Sequence, residues 1–286
     1  MMTAPVIQNG ELKISVKHII VPLDGSKRAE GVVPYAAGIA YMANSSIELV
    51  VVGDKPGGSI TDLDSASFES VGEVQSQLST WLRTVTATVL DGDPADAIKK
   101  HAHETGADLI AMATHGRSGL MRKLLGGVAR KVMVDTEIPV LAVRADNITG
   151  QAREARALDN VIVPLDGSAC AGRAIGIAST VALALKAKMW LVYAESPNDV
   201  DSSPVLTALG ATQKELEERG LHAEIKTALG KPLSVIRSFI KQIPRSLVVI
   251  TSRGVTGDAP GARASVADGL IRRSGVPILV VPPARG

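Results

Sequence analysis

The sequence is poor in aromatic residues, in cysteine and in long apolar runs. Phe, Trp and Tyr together make up 2% of its 286 residues, whereas single-stranded nucleic acid is bound by stacking on aromatic side chains. The single cysteine, Cys170, cannot form an internal disulfide. No run approaches the roughly 20 apolar residues of a membrane span, and residues 1–17 lack the pattern of a secretion signal. We therefore expect a cytoplasmic protein that binds neither nucleic acid nor membrane.

The charges are nearly balanced, and the apolar content is high. Lys and Arg number 31 against 29 Asp and Glu, so no strong field attracts nucleic acid. Hydrophobic residues make up 45% of the chain. With so few aromatic residues, the interior must be filled by Ala, Val, Leu and Ile. This composition favours buried parallel strands that are covered by helices.

The segment IVPLDGS occurs twice, at residues 20–26 and 162–168. Each copy is followed by an apolar strand that leads into a glycine-containing loop, at 109–132 and at 247–270. A repeat of this length indicates two homologous domains. We predict a first domain at 12–146 and a second at 157–286.

Apolar runs alternate with amphipathic segments in both halves. This alternation predicts the α/β class, with parallel strands, right-handed crossovers and helices on both faces of each sheet. Helices are predicted in the first half at 27–43, 70–83, 95–104 and 127–135. Strands are predicted near 18–23, 47–52, 84–90, 108–114 and 139–144, and again near 160–165, 189–194, 222–228, 246–251 and 277–281.

A ligand site is predicted at the carboxyl ends of the first and fourth strands. In a doubly wound sheet, ligands bind beyond those ends, where the strand order reverses. If these strands are neighbours, Asp24 meets the loop that contains Gly116, Gly119, Gly126 and Gly127. Glycines permit close backbone approach, and the helix that begins near 127 presents unpaired N–H groups to an anion. The alternative is a plain turn and helix cap at Asp24, with a tight loop that binds no ligand.

Both halves resemble universal stress protein domains, from about residue 15 to 283. This family contains small nucleotide-binding α/β proteins and often tandem pairs. The resemblance implies two doubly wound parallel five-stranded sheets of Rossmann-like, HUP type, with order 3-2-1-4-5 in each. In ATP-binding members the loop reads Gly, two residues, Gly, nine residues, Gly, then Ser or Thr. The first half has Ala113, Gly116, Gly126 and Gly127 at those positions, so the hydroxyl that would contact terminal phosphates is missing.

The second half departs further from the family's loop. It has Thr251, Gly254, Ala264 and Ser265, and Asp258 and Pro260 enter the loop. A carboxylate repels phosphate, and proline removes an N–H donor. We therefore expect the first half to be the better nucleotide site.

The resemblance implies a ligand and the residues around it. The implied ligand is ATP, with AMP or ADP as alternatives, and its phosphates can carry a bound Mg²⁺ ion. No catalytic or metal-ligating residue is predicted. The implied binding residues are Pro22, Leu23, Asp24, Ile47, Met112, Ala113, Gly116, Gly119, Gly126, Gly127 and Val128 in the first half, and Asp166, Gly254, Ser265 and Val266 in the second.

The function predicted from these features is that of a nucleotide-binding stress-response regulator with, at most, slow ATP hydrolysis. Two alternatives stay open: a slow ATPase, and a dimerisation or scaffold module that binds no nucleotide. In this family the fifth strand commonly mediates pairing. We therefore expect a homodimer or an internal domain pair through 139–144 and 277–282.

Three histidines lie near features of interest. His101 and His103 are two residues apart on a predicted helix, so they point to different sides and cannot bind one metal ion together. We expect them on a solvated helix face. His115 flanks the glycine loop, where contact with a ligand and a plain strand-end position both stay open.

Overall fold

The computed structural model describes residues 16–53, 65–115, 125–144, 158–195, 201–251 and 266–282. The chain divides into two compact units, a first unit at Ser15–Ala157 and a second unit that contains Leu158–Gly286. The predicted bounds at residues 12, 146, 157 and 286 lie outside the described residues and stay predictions. Within the part of the chain described, no helix combines the length and apolar composition of a membrane span.

The first unit alternates strands and helices. Its strands lie in the order β3-β2-β1-β4-β5, and the paired strands are parallel. The order therefore reverses between β1 and β4. The elements are β1 (His18–Pro22), a 3-10 turn (Ala29–Val32), α1 (Val33–Ala43), β2 (Ser46–Gly53), α2 (Ser65–Ser79), β3 (Val85–Asp91), α3 (Pro94–Glu104), β4 (Leu109–Ala113), α4 (Gly127–Asp135) and β5 (Val140–Val143).

The second unit repeats this plan. Its strands lie in the order β8-β7-β6-β9-β10 and are also parallel, so the predicted α/β class and 3-2-1-4-5 order are confirmed in each unit. The elements are β6 (Asn160–Leu165), α5 (Ala169–Leu185), β7 (Lys188–Glu195), α6 (Ser203–Glu218), β8 (Ala223–Leu229), α7 (Pro232–Gln242), β9 (Ser246–Thr251), α8 (Val266–Arg273) and β10 (Ile278–Val281).

The central strands are apolar on both faces because helices cover both. Ile19, Ile20 and Val21 of β1 have no exposed surface, as expected for a parallel strand inside an α/β sheet. Right-handed crossovers place α1 and α2 on one face and α3 and α4 on the other. Ion pairs join α3 and its cap to α4, Lys99–Asp135 at 3.4 Å and Asp93–Lys131 at 3.2 Å.

Two predicted helices of the first unit differ from those observed. The helix predicted at 27–43 is a 3-10 turn followed by α1, which begins at Val33. Pro34 lies in the first turn of α1, where its fixed φ suits the start of a helix. Because proline has no backbone N–H, it cannot continue the helical hydrogen bonds of the residues before it. The helix predicted at 70–83 lies at Ser65–Ser79. The prediction placed its start too late because the polar residues of the first turn show no apolar periodicity.

Candidate functional site

The carboxyl ends of β1 and β4 lie side by side. Ile19 pairs with Leu109, and Ile20 pairs with Ile110. Beyond those ends the chain continues into Asp24. This is the point where the strand order reverses and where doubly wound sheets bind ligands.

Asp24 forms a tight turn at this edge. Its Oδ1 accepts hydrogen bonds from the Ser26 backbone N–H at 3.0 Å and the Ser26 hydroxyl at 2.5 Å. Gly25 has φ +74°, a left-handed conformation that favours glycine. The Ser26 Oγ in turn accepts from the Ala29 N–H at 3.1 Å. The turn predicted as an alternative role for Asp24 is thus present.

The loop after β4 is closed by a backbone hydrogen bond. The Gly126 N–H donates to the Thr114 carbonyl at 2.8 Å, and a Cβ on Gly126 would lie 2.9 Å from that oxygen. The φ of Gly126 is an ordinary −58°, so glycine is needed here for close approach rather than for a left-handed backbone. Thr114 is fully buried, and its N–H donates to the Val143 carbonyl at 2.8 Å.

Helix α4 presents a bare N-terminus at this edge. Its N-cap, Gly126, has no side chain to cap it, and the Arg130 N–H bonds to the Gly126 carbonyl at 2.9 Å. The N–H groups of the first turn therefore have no acceptor inside the helix. The first turn carries no acidic residue, and a Cβ on Gly127 would meet no atom of the described residues within 4 Å. An uncapped, open helix N-terminus favours an anion.

The structure brings most of the described site residues of the first unit to one edge. Ile47 is the exception and corrects the prediction, because it pairs with Ile19 and is fully buried, while Pro22 pairs with Val50. Ile47 therefore lies near the beginning of β2, away from the edge. The residues that lie on β1, β4 or α4 or directly beside these elements are Pro22, Leu23, Asp24, Met112, Ala113, Gly126, Gly127 and Val128.

Several predicted residues lie outside the described part of the chain. They are Gly116 and Gly119 of the first loop and Gly254, Asp258, Pro260 and Ser265 of the second. Thr114, which fixes both ends of the first loop, was missed. A single threonine after an apolar strand gives no distinct sequence signal, although its place directly before the glycine loop could have drawn attention to it.

The second unit repeats the turn but changes its surroundings. Asp166 accepts from the Ser168 N–H at 3.0 Å, and Gly167 has φ +75°. A Cβ on Gly167 would lie 3.1 Å from Cγ2 of Val205, so a side chain of α6 packs over the turn. Val266 is the first residue of α8, and Asp268 in the first turn of that helix accepts from the Arg272 Nε at 2.9 Å.

A second polar cluster of the first unit lies toward the beginning of β1 and β2. Glu48 is buried, and its Oε1 accepts from the Thr88 hydroxyl at 2.5 Å and lies 2.9 Å from His101 Nε2. Its Oε2 lies 3.1 Å from His18 Nε2. Burial acts to raise the pKa of Glu48, but the hydrogen bonds from Thr88 and His101 and the nearby imidazoles outweigh it and hold that pKa below its ordinary value.

The prediction of a solvated position is wrong for His101, because its imidazole contacts Glu48 of β2. The sequence pattern of α3 alone does not reveal this contact. His103 is exposed. Both imidazoles bond the carboxylate directly, and the described residues include no set of three His, Cys, Asp or Glu side chains able to hold a metal ion.

Comparisons with known proteins agree with this architecture. A model of the universal stress protein family matches residues 15–144 and again 157–282. A universal stress protein of Methanocaldococcus jannaschii is 31% identical over 150 residues, which cover 49% of this chain and 87% of the relative. Another from Synechocystis is 24% identical over 130 residues, which cover 46% of this chain but only 43% of that longer relative.

A solved structure extends the likeness to both units. A universal stress protein of Archaeoglobus fulgidus matches with a TM-score of 0.75 over 94% of this chain and 99% of that protein. At 22% identity this likeness shows the fold. The two matches of the family model, however, cover most of the sequence and coincide with its internal repeat. The chain therefore belongs to the universal stress protein family, as a tandem two-domain member.

Proposed function

We propose that the first unit binds an adenine nucleotide, with ATP as the main ligand and AMP or ADP as weaker ones, and that the protein is a stress-response regulator. The observation that carries this proposal is the open, uncapped N-terminus of α4, held beside the Asp24 turn where the strand order reverses. Membership of the universal stress protein family supports the regulatory role.

The chemistry of this edge suits phosphate. The N–H groups of Gly127, Val128 and Ala129 are first-turn donors, and a hydrogen bond to a charged group contributes about 1.5–3 kcal/mol. The Thr114–Gly126 bond fixes where the helix begins, so these donors are already in place before a ligand arrives. Mg²⁺ would accompany the phosphates of ATP rather than occupy a carboxylate cage of the protein.

We propose that the second unit binds nucleotide weakly or not at all. Asp268 places a carboxylate in the first turn of α8, where it opposes a phosphate. Val205 packs over the Gly167 turn. Strand β7 also ends at Glu195, whereas β2 ends at Gly53. Each difference makes the second crevice less suited to a polyanion.

The output of the first site is proposed to be regulatory, through nucleotide-dependent shape or association. Main-chain donors hold phosphates but do not activate a water molecule, so hydrolysis would be slow. Phosphate release by purified protein, compared with an Asp24→Ala variant, checks this point. Rapid release that disappears in the variant would favour the ATPase alternative. Pairing through the fifth strands stays a prediction.

The test of binding is a calorimetric titration of the full chain with ATP. We expect saturation at about one nucleotide per chain, because one of the two helix N-termini carries an acidic first turn. A Gly127→Asp variant separates binding from folding. No described residue lies within 4 Å of the new Cβ, and a carboxylate stabilises a helix N-terminus by about 0.3–1 kcal/mol, yet it would repel the phosphates.

The matched control is Gly127→Asn, which has nearly the same shape without the charge. We expect the Asn variant to bind ATP and the Asp variant to lose binding while unfolding at an equal or higher urea concentration. If the wild-type chain takes up no ATP at millimolar concentration, the nucleotide site is wrong and the dimerisation module is favoured. Two equal sites would contradict the proposed difference between the units.

A further inference from the structure

His115, directly beside the proposed site, has one nitrogen atom without a partner. Its Nδ1 lies 2.9 Å from the Thr114 Oγ1. Its Nε2 is buried and has no hydrogen-bond partner among the residues that the structure describes. Most buried polar atoms in proteins are hydrogen-bonded, and an exception near a candidate site calls for an explanation.

The buried hydroxyl of Thr114 determines which nitrogen carries the proton. Thr114 has no exposed surface, so its hydroxyl proton must be donated inside the protein. Among the described residues, the hydrogen-bond partner of this hydroxyl is His115 Nδ1, which we infer to be the acceptor. A neutral imidazole that accepts at Nδ1 carries its proton on Nε2. The atom without a partner is therefore an N–H donor that lacks an acceptor.

The position of His115 is fixed relative to the start of α4. The Cα of His115 lies 3.7 Å from the place that a Cβ of Gly126 would occupy, and Gly126 directly precedes that helix. Backbone bonds from Thr114 to Val143 and Gly126 hold the preceding residue in place. The His115 backbone is thus fixed beside the helix N-terminus to which we assign the phosphates, and the Thr114 Oγ1 contact holds its ring through Nδ1.

We propose that the His115 Nε2–H donates to a phosphate oxygen of the bound nucleotide, and that Thr114 is the positioning residue that sets the imidazole tautomer. The inference rests on the proposed nucleotide site and identifies one of its side-chain donors. Phosphate is the acceptor because its oxygens accept hydrogen bonds and because the uncapped helix favours an anion at this place. Position 127 lacks a hydroxyl, so His115 supplies a side-chain donor that Gly127 does not.

The tautomer can be tested without any ligand. Nitrogen-15 NMR of the imidazoles in the full-length protein, with His115→Gln used to assign the signal, reports which nitrogen is protonated. We expect the Nε2–H form for His115 and a loss of this preference in Thr114→Val. A predominant Nδ1–H form in the wild-type protein would overturn the inference, since Nε2 would then be an acceptor.

The contact itself is tested by comparing ATP with adenosine in calorimetric titrations of three proteins. Glutamine can place an amide donor near the position of Nε2, whereas leucine has none. We expect His115→Leu to weaken ATP binding about 10- to 100-fold while changing adenosine binding much less. His115→Gln should recover most of the ATP affinity.

The outcomes distinguish this inference from the proposed function. Unchanged ATP affinity in His115→Leu, or an equal loss for ATP and adenosine, overturns the phosphate contact while the nucleotide site stands. Failure of the wild-type chain to bind ATP overturns both. If His115→Leu does not fold, as judged by urea unfolding, the tautomer measurement and the ATP affinity of Thr114→Val decide. A Thr114→Val variant that binds ATP as tightly as the wild type counts against the inference.

Discussion

The two units share a fold and a turn but differ where a ligand would bind. Asp24 and Asp166 form the same turn over a glycine at φ +74° or +75°. Helix α4 nevertheless begins without a side-chain cap or an acidic first turn, while α8 carries Asp268 in its first turn. A common strand order therefore leaves room for different binding sites, and the proposed difference in nucleotide binding rests on a few residues at the carboxyl edge.

The units differ equally at the beginning of their first two strands. Equivalent pairings place Trp190 where the first unit has Glu48. The Trp190 Nε1 donates to Asn160 Oδ1 at 2.8 Å, and the Lys188 Nζ lies 4.2 Å from the Trp190 ring centroid. Thus a carboxylate between two imidazoles in one unit is replaced by an aromatic ring beside an ammonium in the other. The same place in the fold therefore accommodates either a hydrogen-bonded carboxylate or an aromatic ring with a nearby cation.

The largest expected effect is that of a methyl group at Gly126, where the second unit has Ala264. In Gly126→Ala the new Cβ would lie 2.9 Å from the Thr114 carbonyl oxygen, so the backbone must shift. We expect a loss of about 1–3 kcal/mol in the free energy of unfolding and a loss of ATP binding. Urea unfolding and calorimetry check this. Gly72→Ala is the control because its Cβ would meet no atom within 4 Å. Equal behaviour of the two variants would contradict the close approach.

Removal of the Glu48 carboxylate should have the next largest effect. Glu48→Ala leaves the partly buried partners His18, Thr88 and His101 without this acceptor, and we expect a loss of about 1–3 kcal/mol in the free energy of unfolding. Glu73→Ala is the control. Glu73 is 60% exposed and paired with Lys27, so its loss should cost at most about 0.5 kcal/mol. Similar values for both variants would show that the cluster contributes no more than a surface pair.

Acid should weaken the Glu48 cluster without any substitution. The folded pKa of Glu48 lies below its ordinary value, which is about 4.3 in an unfolded chain. Its stabilisation is therefore fully present above that pH and is lost as the pH falls through the folded pKa. The difference in unfolding free energy between the wild type and Glu48→Gln should shrink between pH 7 and about pH 3. A constant difference would contradict the direction of the shift.

The smallest expected effect is a gain. Gly127→Ser introduces a hydroxyl at a place where no described residue lies within 4 Å of the new Cβ, and where the loop pattern of ATP-binding members of the family has Ser or Thr. We expect ATP affinity to rise about 3- to 10-fold, the value of one added hydrogen bond, with little change for AMP. Gly127→Ala is the control without the hydroxyl. An equal gain in both variants would point to helix propensity rather than to phosphate contact.

The repeat and the alternation of strands and helices could be predicted because they depend on patterns within the sequence, whereas the strand order was implied only by the family resemblance. Apolar runs such as β1 are visible without any partner, and the turn at Asp24 is local. Ile47 was misplaced because the register of β2 against β1 is a tertiary property. The role of His101 was missed because it depends on Glu48, far away in the chain. Contacts between distant residues leave no periodic signal.

The hydrogen bond from the Gly126 amide to the Thr114 carbonyl joins the two ends of the loop that follows β4. Because this bond, the ion pairs to α3 and the buried face of α4 hold the start of the helix, we expect exchanges within the loop to leave the helix in register with the sheet. Evolution, or an engineer, can thus alter the chemistry offered to a ligand without rebuilding the scaffold.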